Sequence, residues 1–487
     1  MALALLELGF EKNDRLFVML PNCSQNAILI FVAAKLGLIK VHGNPNSMSI
    51  DLPTVLSNVN CKGIVMMADE TTLNQFQELS QNFPPVKHII LVGSNKTIMP
   101  NAHAYDELIQ QGETQKIEKQ EMLAKHQASV EPDSPLAIIL TSGSTGVPER
   151  VVLTNFSVFN TLCTHQNYFG SSFARICITQ SMSHILTGIM ITLAPAINTI
   201  TIVCPSFNFD VTAIMRSIDQ EKCTSITGSP IVFRRLLADP DRSKYDLTSL
   251  KHIVLGSTLI QPKLMQQIQA ELPNTLIGQT FALTEGGCSL TNSMRCRDER
   301  RFTSIGQCLP HLELKLVDEN NQVVPIGCQG EICVRGYSLM CGYYDDPEET
   351  AKTITESGWL KTGDLATMDE DGYLFYVERK KHLIFKNDGA IVFPNEVEQT
   401  IEEYDCVERA HVFTIHDSRV KGIVCAFVKI KDGQTCEADE LKHFLVTKLA
   451  DYKIPEHIRF VDEFPQTSIG KIPKYQLAKD MMKILNL

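Results

Sequence analysis

A chain of 487 residues is too long for one hydrophobic core, because cores stop growing near roughly 250–300 residues, so two or three domains are expected. Charged residues at 21% and hydrophobic ones at 44% exclude the disordered and fibrous classes. The formal net charge of −11 argues against general attraction to nucleic acid or an anionic membrane, while leaving room for a locally positive pocket.

Through the first 300 residues, short β-branched runs alternate with amphipathic stretches. Arg15–Leu20, Gly63–Met67, His88–Val92, Leu136–Leu140, Thr199–Val203 and His252–Leu255 predict strands, and Asn26–Leu38, Val211–Gln220 and Lys263–Leu272 predict helices between them. Such alternation points to parallel sheets covered by helices. From Leu312 the predicted strands come closer together, with turn signals such as Asp318-Glu-Asn-Asn321 between Leu312–Val317 and Glu331–Val334, which predicts a small β-rich piece over about residues 300–377. After Arg379 the pattern is compact α+β: a helix over Glu396–Glu403, strands over His411–Ile415 and Ile423–Ile430, a Lys431-Asp-Gly433 turn and a helix over Glu440–Leu449. Charge changes at the same place. From Tyr376 to the end, 17 Lys+Arg stand against 18 Asp+Glu, net −1, which leaves −10 for the first 375 residues.

The 15 cysteines run from Cys23 to Cys436 without a CxxC pair, the pattern of a chain in a reducing compartment rather than of a disulfide scaffold or zinc site. Met1-Ala-Leu-Ala-Leu-Leu runs into Glu7 with no basic region, too short an apolar core for a signal peptide. No charged residue falls between Arg175 and Asp210, but Gln180, Ser181, Ser183, His184, Pro195 and Asn198 interrupt the stretch, so it reads as buried strand and helix walls and not as a membrane span. The C-terminal Leu-Asn-Leu is not a peroxisomal tripeptide.

Four segments carry chemistry. Leu136-Ala-Ile-Ile-Leu-Thr-Ser-Gly-Ser-Thr-Gly-Val-Pro148 is an apolar strand running into a Gly, Ser and Thr loop, whose backbone N–H groups and hydroxyls suit a phosphate; it is not a Walker A loop, since no Gly-Lys-Ser/Thr follows. Gln279-Thr-Phe-Ala-Leu-Thr-Glu285 after Thr275-Leu-Ile277 predicts a loop at a strand end that presents a ring to stack on a base, a hydroxyl for a phosphate oxygen and a carboxylate for Mg²⁺. Gly358-Trp-Leu-Lys-Thr-Gly-Asp364 predicts a turn ending in an Asp that can accept both hydroxyls of a ribose, with a plain surface turn as the alternative. Pro465-Gln-Thr-Ser-Ile-Gly-Lys471-Ile-Pro-Lys474 puts a Lys on a Gly-bearing turn, where it either reaches a pocket or stays solvated.

In this order and spacing, with Asp14-Arg-Leu-Phe-Val-Met-Leu-Pro-Asn22, Gly330-Glu331, Val334-Arg-Gly336, Gly342-Tyr-Tyr344, Asp371-Gly-Tyr373 and Glu378-Arg379, the segments resemble the adenylate-forming superfamily of acyl-CoA synthetases, 4-coumarate:CoA ligase and firefly luciferase, over nearly the whole chain. The resemblance implies an α/β fold: a large N-terminal domain, residues 1–377, of two helix-covered sheets plus the β-rich piece, then a small mobile α+β C-terminal domain, residues 378–487. It implies that a carboxylic acid is joined to the α-phosphate of ATP, and that a thiol, coenzyme A, then attacks the acyl-adenylate. Carried over by position, Thr141, Ser142, Gly143, Ser144, Thr145 and Gly146 cradle the triphosphate. Gln279, Thr280, Phe281, Ala282, Leu283 and Thr284 line the nucleotide, Phe281 near adenine and Thr284 at the α-phosphate, and Glu285 binds Mg²⁺. Asp364 and Arg379 hold the ribose, Lys471 bridges carboxylate and α-phosphate, Lys381 is the hinge, Gly389 lies at the thiol channel, and His184 and Gly256 fall in the acyl pocket.

Departures from the family pattern qualify this. Glu149 stands where a Lys usually follows the loop, and like charges about 4 Å apart repel by roughly 1–4 kcal/mol, so either Arg150 supplies the cation from the next position or the loop binds pyrophosphate weakly. Glu378 replaces a Gly or Asp and is expected to crowd the second-step conformation, Ala282 replaces a Gly, and one extra residue lies between Lys381 and Pro394. The run Ser183-His-Ile-Leu-Thr-Gly188 is also one residue longer than the commonest pattern, which leaves His184 as either a tunnel gate or a packed core histidine. The uncharged stretch Ile176–Phe209 and the segment Ile226–Arg235 lie where the family builds its acyl pocket, so a medium or long fatty acid or an aryl acid is expected. The alternatives are an adenylating relative with another acceptor, a carrier protein or oxygen, and a noncatalytic nucleotide- or acyl-binding relative. The cytosol is the expected location, with peroxisome or mitochondrion possible, and Met1-Ala-Leu-Ala-Leu-Leu-Glu-Leu-Gly9 is expected to be the end of a helix already under way, after opening strands that are missing.

Overall fold

The structure is a computed structural model that describes residues 1–93, 99–114, 119–141, 148–169, 174–258, 260–386, 390–415, 422–465 and 472–485. It divides into two compact units, one of Met1–Leu314 with Val334–Lys361 and one of Lys315–Cys333 with Thr362–Leu487. The β-rich stretch is therefore shared between them.

The first unit holds two large sheets. In spatial order the first runs Gly342–Tyr343, Glu149–Thr154, Pro135–Thr141, Ile39–His42, Arg15–Met19, Gly63–Met67, His88–Val92 and Ala102–Ala104. From Pro135–Thr141 onward it is parallel, and the two strands at the other edge are antiparallel. Both faces are covered by helices, which is why Ile39–His42 is buried at all four positions. The helix Ser24–Leu36 ends on Gly37 at φ +68°, where a Cβ would press on Lys12 and Val130, so the chain turns there into the next strand. The second sheet runs Gln307–Cys308, Cys288–Asn292, Leu276–Leu283, His252–Leu255, Ser225–Gly228, Arg175–Cys177 and Thr201–Val203, again parallel except for two antiparallel strands at one edge. Its cover includes Val211–Glu221, capped by Asp210, whose carboxylate accepts the Ala213 N–H at 2.9 Å.

Two expectations need correction. Gln279–Leu283 is not a loop: the strand Leu276–Leu283 continues through it because Cys288–Asn292 folds back to pair with it, and the turn begins only at Thr284. Likewise Asp364 does not end a turn; it lies within the strand Leu360–Met368, with Gly363 at φ +71° inside the strand.

The second unit contains the three-stranded sheet Val407–Ile415, Ile423–Ile430 and His457–Phe460. Strand alternation sorts its side chains. Val412, Val424 and Ala426 pack with Val397 and Ile401 of the helix Pro394–Glu402 and Leu441 of the helix Ala438–Val446, while Phe413, Cys425 and Phe427 pack with Leu477 and Met481 of the helix Lys474–Leu485. Among the described residues no helix is long and apolar enough to cross a membrane.

Candidate functional site

In the first unit the expected phosphate loop joins two antiparallel strands. Thr141 and Glu149 are opposite each other at its base, with Thr141 Oγ1 3.3 Å from Glu149 Oε2. Ser142, Gly143, Ser144, Thr145 and Gly146 lie outside the described residues. Arg150 follows Glu149 in the same strand, on the alternate face of the sheet.

The next strand out brings Tyr343, paired with Val151, whose hydroxyl lies 3.3 Å from Glu285 Oε1. Burial, then the charges of Glu285 and Glu149, push this phenol up, which puts both carboxylates around one ring hydroxyl. Glu285 is held through its carbonyl by the Met340 N–H at 2.8 Å, and the turn behind it needs Gly287, where a Cβ would overlap the Ser338 carbonyl. Glu285 supplies hard oxygen donors, and no group of three or more His, Cys, Asp or Glu able to hold a metal occurs among the described residues. That donor set fits Mg²⁺ in the way it is commonly bound, through one carboxylate plus phosphate oxygens and water.

Along Leu276–Leu283, Gln279 is buried and gives its side-chain amide to the Phe302 carbonyl at 3.2 Å, and Thr280 Oγ1 donates to the Thr291 carbonyl at 2.8 Å. Phe281, Ala282, Leu283 and Thr284 are half-buried, and the ladder shifts register between Phe281 and Ala282, which re-aims the side chains there. Gly256 packs on this strand: a Cβ would meet Thr280 Cγ2 at 3.1 Å, so the glycine is a close-approach position.

His184 is half-buried and its carbonyl accepts the Gly188 N–H at 2.7 Å. Leu186–Ile191 is a π-helix, which takes one more residue per turn than an α-helix. The preceding loop is pinned by side chains from the first sheet's region: Asn22 donates to Gln180 O at 3.1 Å and accepts from Met182 N at 2.8 Å, and His42 Nδ1 lies 3.0 Å from Met182 O.

In the second unit, Asp364 and Arg379 are opposite each other in the pairing of Leu360–Met368 with Leu374–Arg379. Arg379 Nη1 is 3.2 Å from Asp364 Oδ2, and the Asp364 side chain is only 4% exposed. Tyr376, which motif reasoning passed over, places its hydroxyl 3.3 Å from Asp364 Oδ1; burial, then Asp364 and Glu378, raise this phenol far above its usual range, so it stays a donor. Buried Glu331 accepts the Gly363 N–H at 3.1 Å and pairs with Lys380 at 2.9 Å, fixing the backbone before Asp364.

Glu378 has its own partners in this structure. It is buried and accepts two backbone N–H groups, Arg379 at 2.8 Å and Asn395 at 2.9 Å, the latter in the first turn of a helix that lacks a side-chain cap of its own. Lys381 lies exposed on the short turn Lys380–His382 that leaves the strand. Gly389 and Lys471 are outside the described residues.

In the second unit a buried carboxylate is held by an Arg and a Tyr; in the first, Glu285 lies against the hydroxyl of Tyr343. Comparison with known proteins gives the class. The model of the AMP-binding enzyme family matches residues 1–344, and that of the AMP-binding enzyme C-terminal domain matches 396–471. The chain belongs to this adenylate-forming family. It is 30% identical over 506 residues, all of this chain and 91% of the other, to the putative acyl-CoA synthetase YngI of Bacillus subtilis (strain 168). It is 30% identical over 509 residues, all of this chain and 82% of the other, to the mitochondrial medium-chain acyl-CoA ligase ACSF2 of Danio rerio. ATP-bound MatB from Rhodopseudomonas palustris shares the fold, with a TM-score of 0.84 at 20% identity over 100% of this chain and 92% of that one.

Proposed function

We propose that the chain is an ATP-dependent acid–thiol ligase, activating an apolar carboxylic acid as acyl-AMP and passing the acyl group to coenzyme A. The observation that supports this best is the buried Asp364, pinned by Arg379 and Tyr376, in a chain similar from end to end to acyl-CoA ligases. Asp364 accepts the ribose hydroxyls while Arg379 fixes its rotamer. Thr284 and the Thr141 hairpin meet the phosphates, and Glu285 is the carboxylate that would hold Mg²⁺, which supplies charge neutralisation when bound with the nucleotide. Lys471 neutralises the negative charge that develops as the acyl carboxylate attacks, and the small domain, residues 378–487, then turns about Lys381 to bring the region of Gly389 to the thiol. His184 and Gly256 border the acyl group, which we take to be a medium or long fatty acid or an aryl acid. All 15 cysteines are free thiols, which favours a reducing compartment, with the cytosol as the simplest choice.

ATP–pyrophosphate exchange and AMP release, measured with a panel of acids with and without coenzyme A, test the reading. Exchange together with CoA-dependent AMP release is expected. Exchange without CoA dependence points to another acceptor, and no exchange with any acid points to a noncatalytic relative.

A further inference from the structure

Both ends of the stretch that carries Lys471 are fastened to one pair of neighbouring side chains in the second unit. Upstream, buried Phe464 meets the His411 ring edge-on, with centroids 4.7 Å apart and an interplanar angle of 84°. Downstream, Lys474 Nζ lies 2.9 Å from Glu398 Oε1. His411 Nδ1 is 3.8 Å from that same oxygen, which also accepts the Val412 N–H at 2.8 Å. Burial alone would raise the Glu398 carboxyl, but Lys474 and His411 outweigh it and hold it down at about 2, so the ion pair persists at neutral pH.

This pair is unlike the surface pairs of the chain. Its side chains are 17% and 13% exposed, against 69% and 36% for Lys483 with Asp480. An exposed pair exchanges readily with water and salt, whereas a desolvated pair with further hydrogen bonds holds one geometry. Lys471 is three residues before Lys474, so connectivity alone keeps the two Cα atoms within about 11 Å. Whatever fixes Lys474 therefore limits where the Lys471 amine can be delivered.

We propose that Glu398 and Lys474, seated by His411 and Phe464, are positioning residues for the adenylation step. They hold the base of the Lys471 segment, so that its amine is delivered to the acyl carboxylate and the α-phosphate. In this role the four act through Lys471 and not on the substrate. The inference rests on Lys471 as the adenylating cation, and its force comes from the sensitivity of positional catalysis, in which a misplacement of about 1 Å costs on the order of 100-fold. A role in stability alone would weaken both half-reactions together; an anchor for Lys471 weakens only the first.

The test uses the full chain carrying Lys474→Met or Glu398→Gln, with melting curves confirming that each is folded. Acyl-adenylate formation is expected to fall about 10- to 100-fold in kcat with little change in the KM for ATP. Thioester formation from supplied acyl-adenylate stays within about twofold, and Lys474→Arg, which keeps the ion pair, retains adenylation within about threefold. Equal losses in both half-reactions, or unchanged adenylation in a folded variant, overturn the proposal. If Lys474→Met melts below the assay temperature, Lys474→Gln and Phe464→Leu are judged by the same criterion. Lys471→Ala is run alongside: adenylation surviving that change means the role given to Lys471 has failed, whereas its loss beside unaffected anchor variants removes the anchor alone.

Discussion

Arg379 reaches Asp364 straight across an antiparallel strand pair, Nη1 to Oδ2 at 3.2 Å, because the register sets these two residues opposite each other. The other carboxylate oxygen is met by Tyr376 at 3.3 Å, so Asp364 is oriented from two sides. Tyr376→Phe removes one hydrogen bond to a charged, buried acceptor and leaves the ring in place. The KM for ATP should rise about 10-fold, equivalent to roughly 1.4 kcal/mol, with a smaller effect on kcat. Steady-state kinetics in ATP checks this; an unchanged KM would mean that Arg379 alone orients Asp364.

Glu378 stands at the end of the same strand and does a different job. Its carboxylate accepts the Arg379 and Asn395 N–H groups and so caps, from outside, the helix Pro394–Glu402. Glu378→Ala leaves two N–H groups without their acceptor, and a loss of about 1–3 kcal/mol is expected in urea unfolding of the second unit's transition. Glu378→Gln keeps an acceptor oxygen and should lose less. If alanine and glutamine melt alike and at the parent value, the capping role is wrong.

These two sites mark what is legible in the sequence. Asp364 and Glu285 can be found because they stand in segments with Gly, Thr and aromatic neighbours, Arg379 only through the family resemblance, and the parallel strands because runs such as Gly63–Met67 are apolar throughout. Tyr376 and Tyr343 escape because an aromatic residue in a strand reads as packing, and only the tertiary register reveals the carboxylate opposite its hydroxyl. Ile39–His42 escapes for another reason. Lys40 and His42 on alternate positions give it a polar face, yet both are buried, one on Asn26 and one on Met182. The capping role of Glu378 escapes as well, because the size and charge of a side chain do not reveal which backbone N–H groups lie within its reach.

Glu149 places a carboxylate at the base of the hairpin proposed to meet the phosphates, near the Tyr343 hydroxyl that Glu285 also approaches. Two carboxylates near one anionic ligand oppose its binding unless a cation intervenes. Glu149→Lys reverses one of them, and the KM for ATP should fall several-fold, the gain shrinking as ionic strength rises from about 0.01 to 0.3 M because the site is partly exposed. Kinetics at both salt levels decides the matter. A KM that rises, or a gain indifferent to salt, would show that Glu149 acts through its bond to Thr141 and not through charge.

Lys40 is fully enclosed, its Nζ donating to Asn26 O at 3.0 Å and to Asn26 Oδ1 at 2.7 Å. Burial lowers this amine from 10.5 to about 7, with Cys23 the lesser influence in the other direction. Between those two values the unfolded chain binds a proton that the folded chain does not, so stability rises with pH across that window; below about 7 both states carry the proton and the full penalty for burying it is present. Lys40→Met removes the titration. Relative to the parent, the variant should therefore lose roughly 3–5 kcal/mol of advantage as pH climbs from about 6.5 to 10, whatever its starting offset from leaving Asn26 without its donor. Subtracting the two unfolding curves cancels the groups remote from Lys40 that titrate in both chains, and Cys23→Ser in both backgrounds removes the one thiol coupled to it. A difference that stays flat over this range would place the Lys40 amine near its ordinary value, charged within the core and satisfied by Asn26.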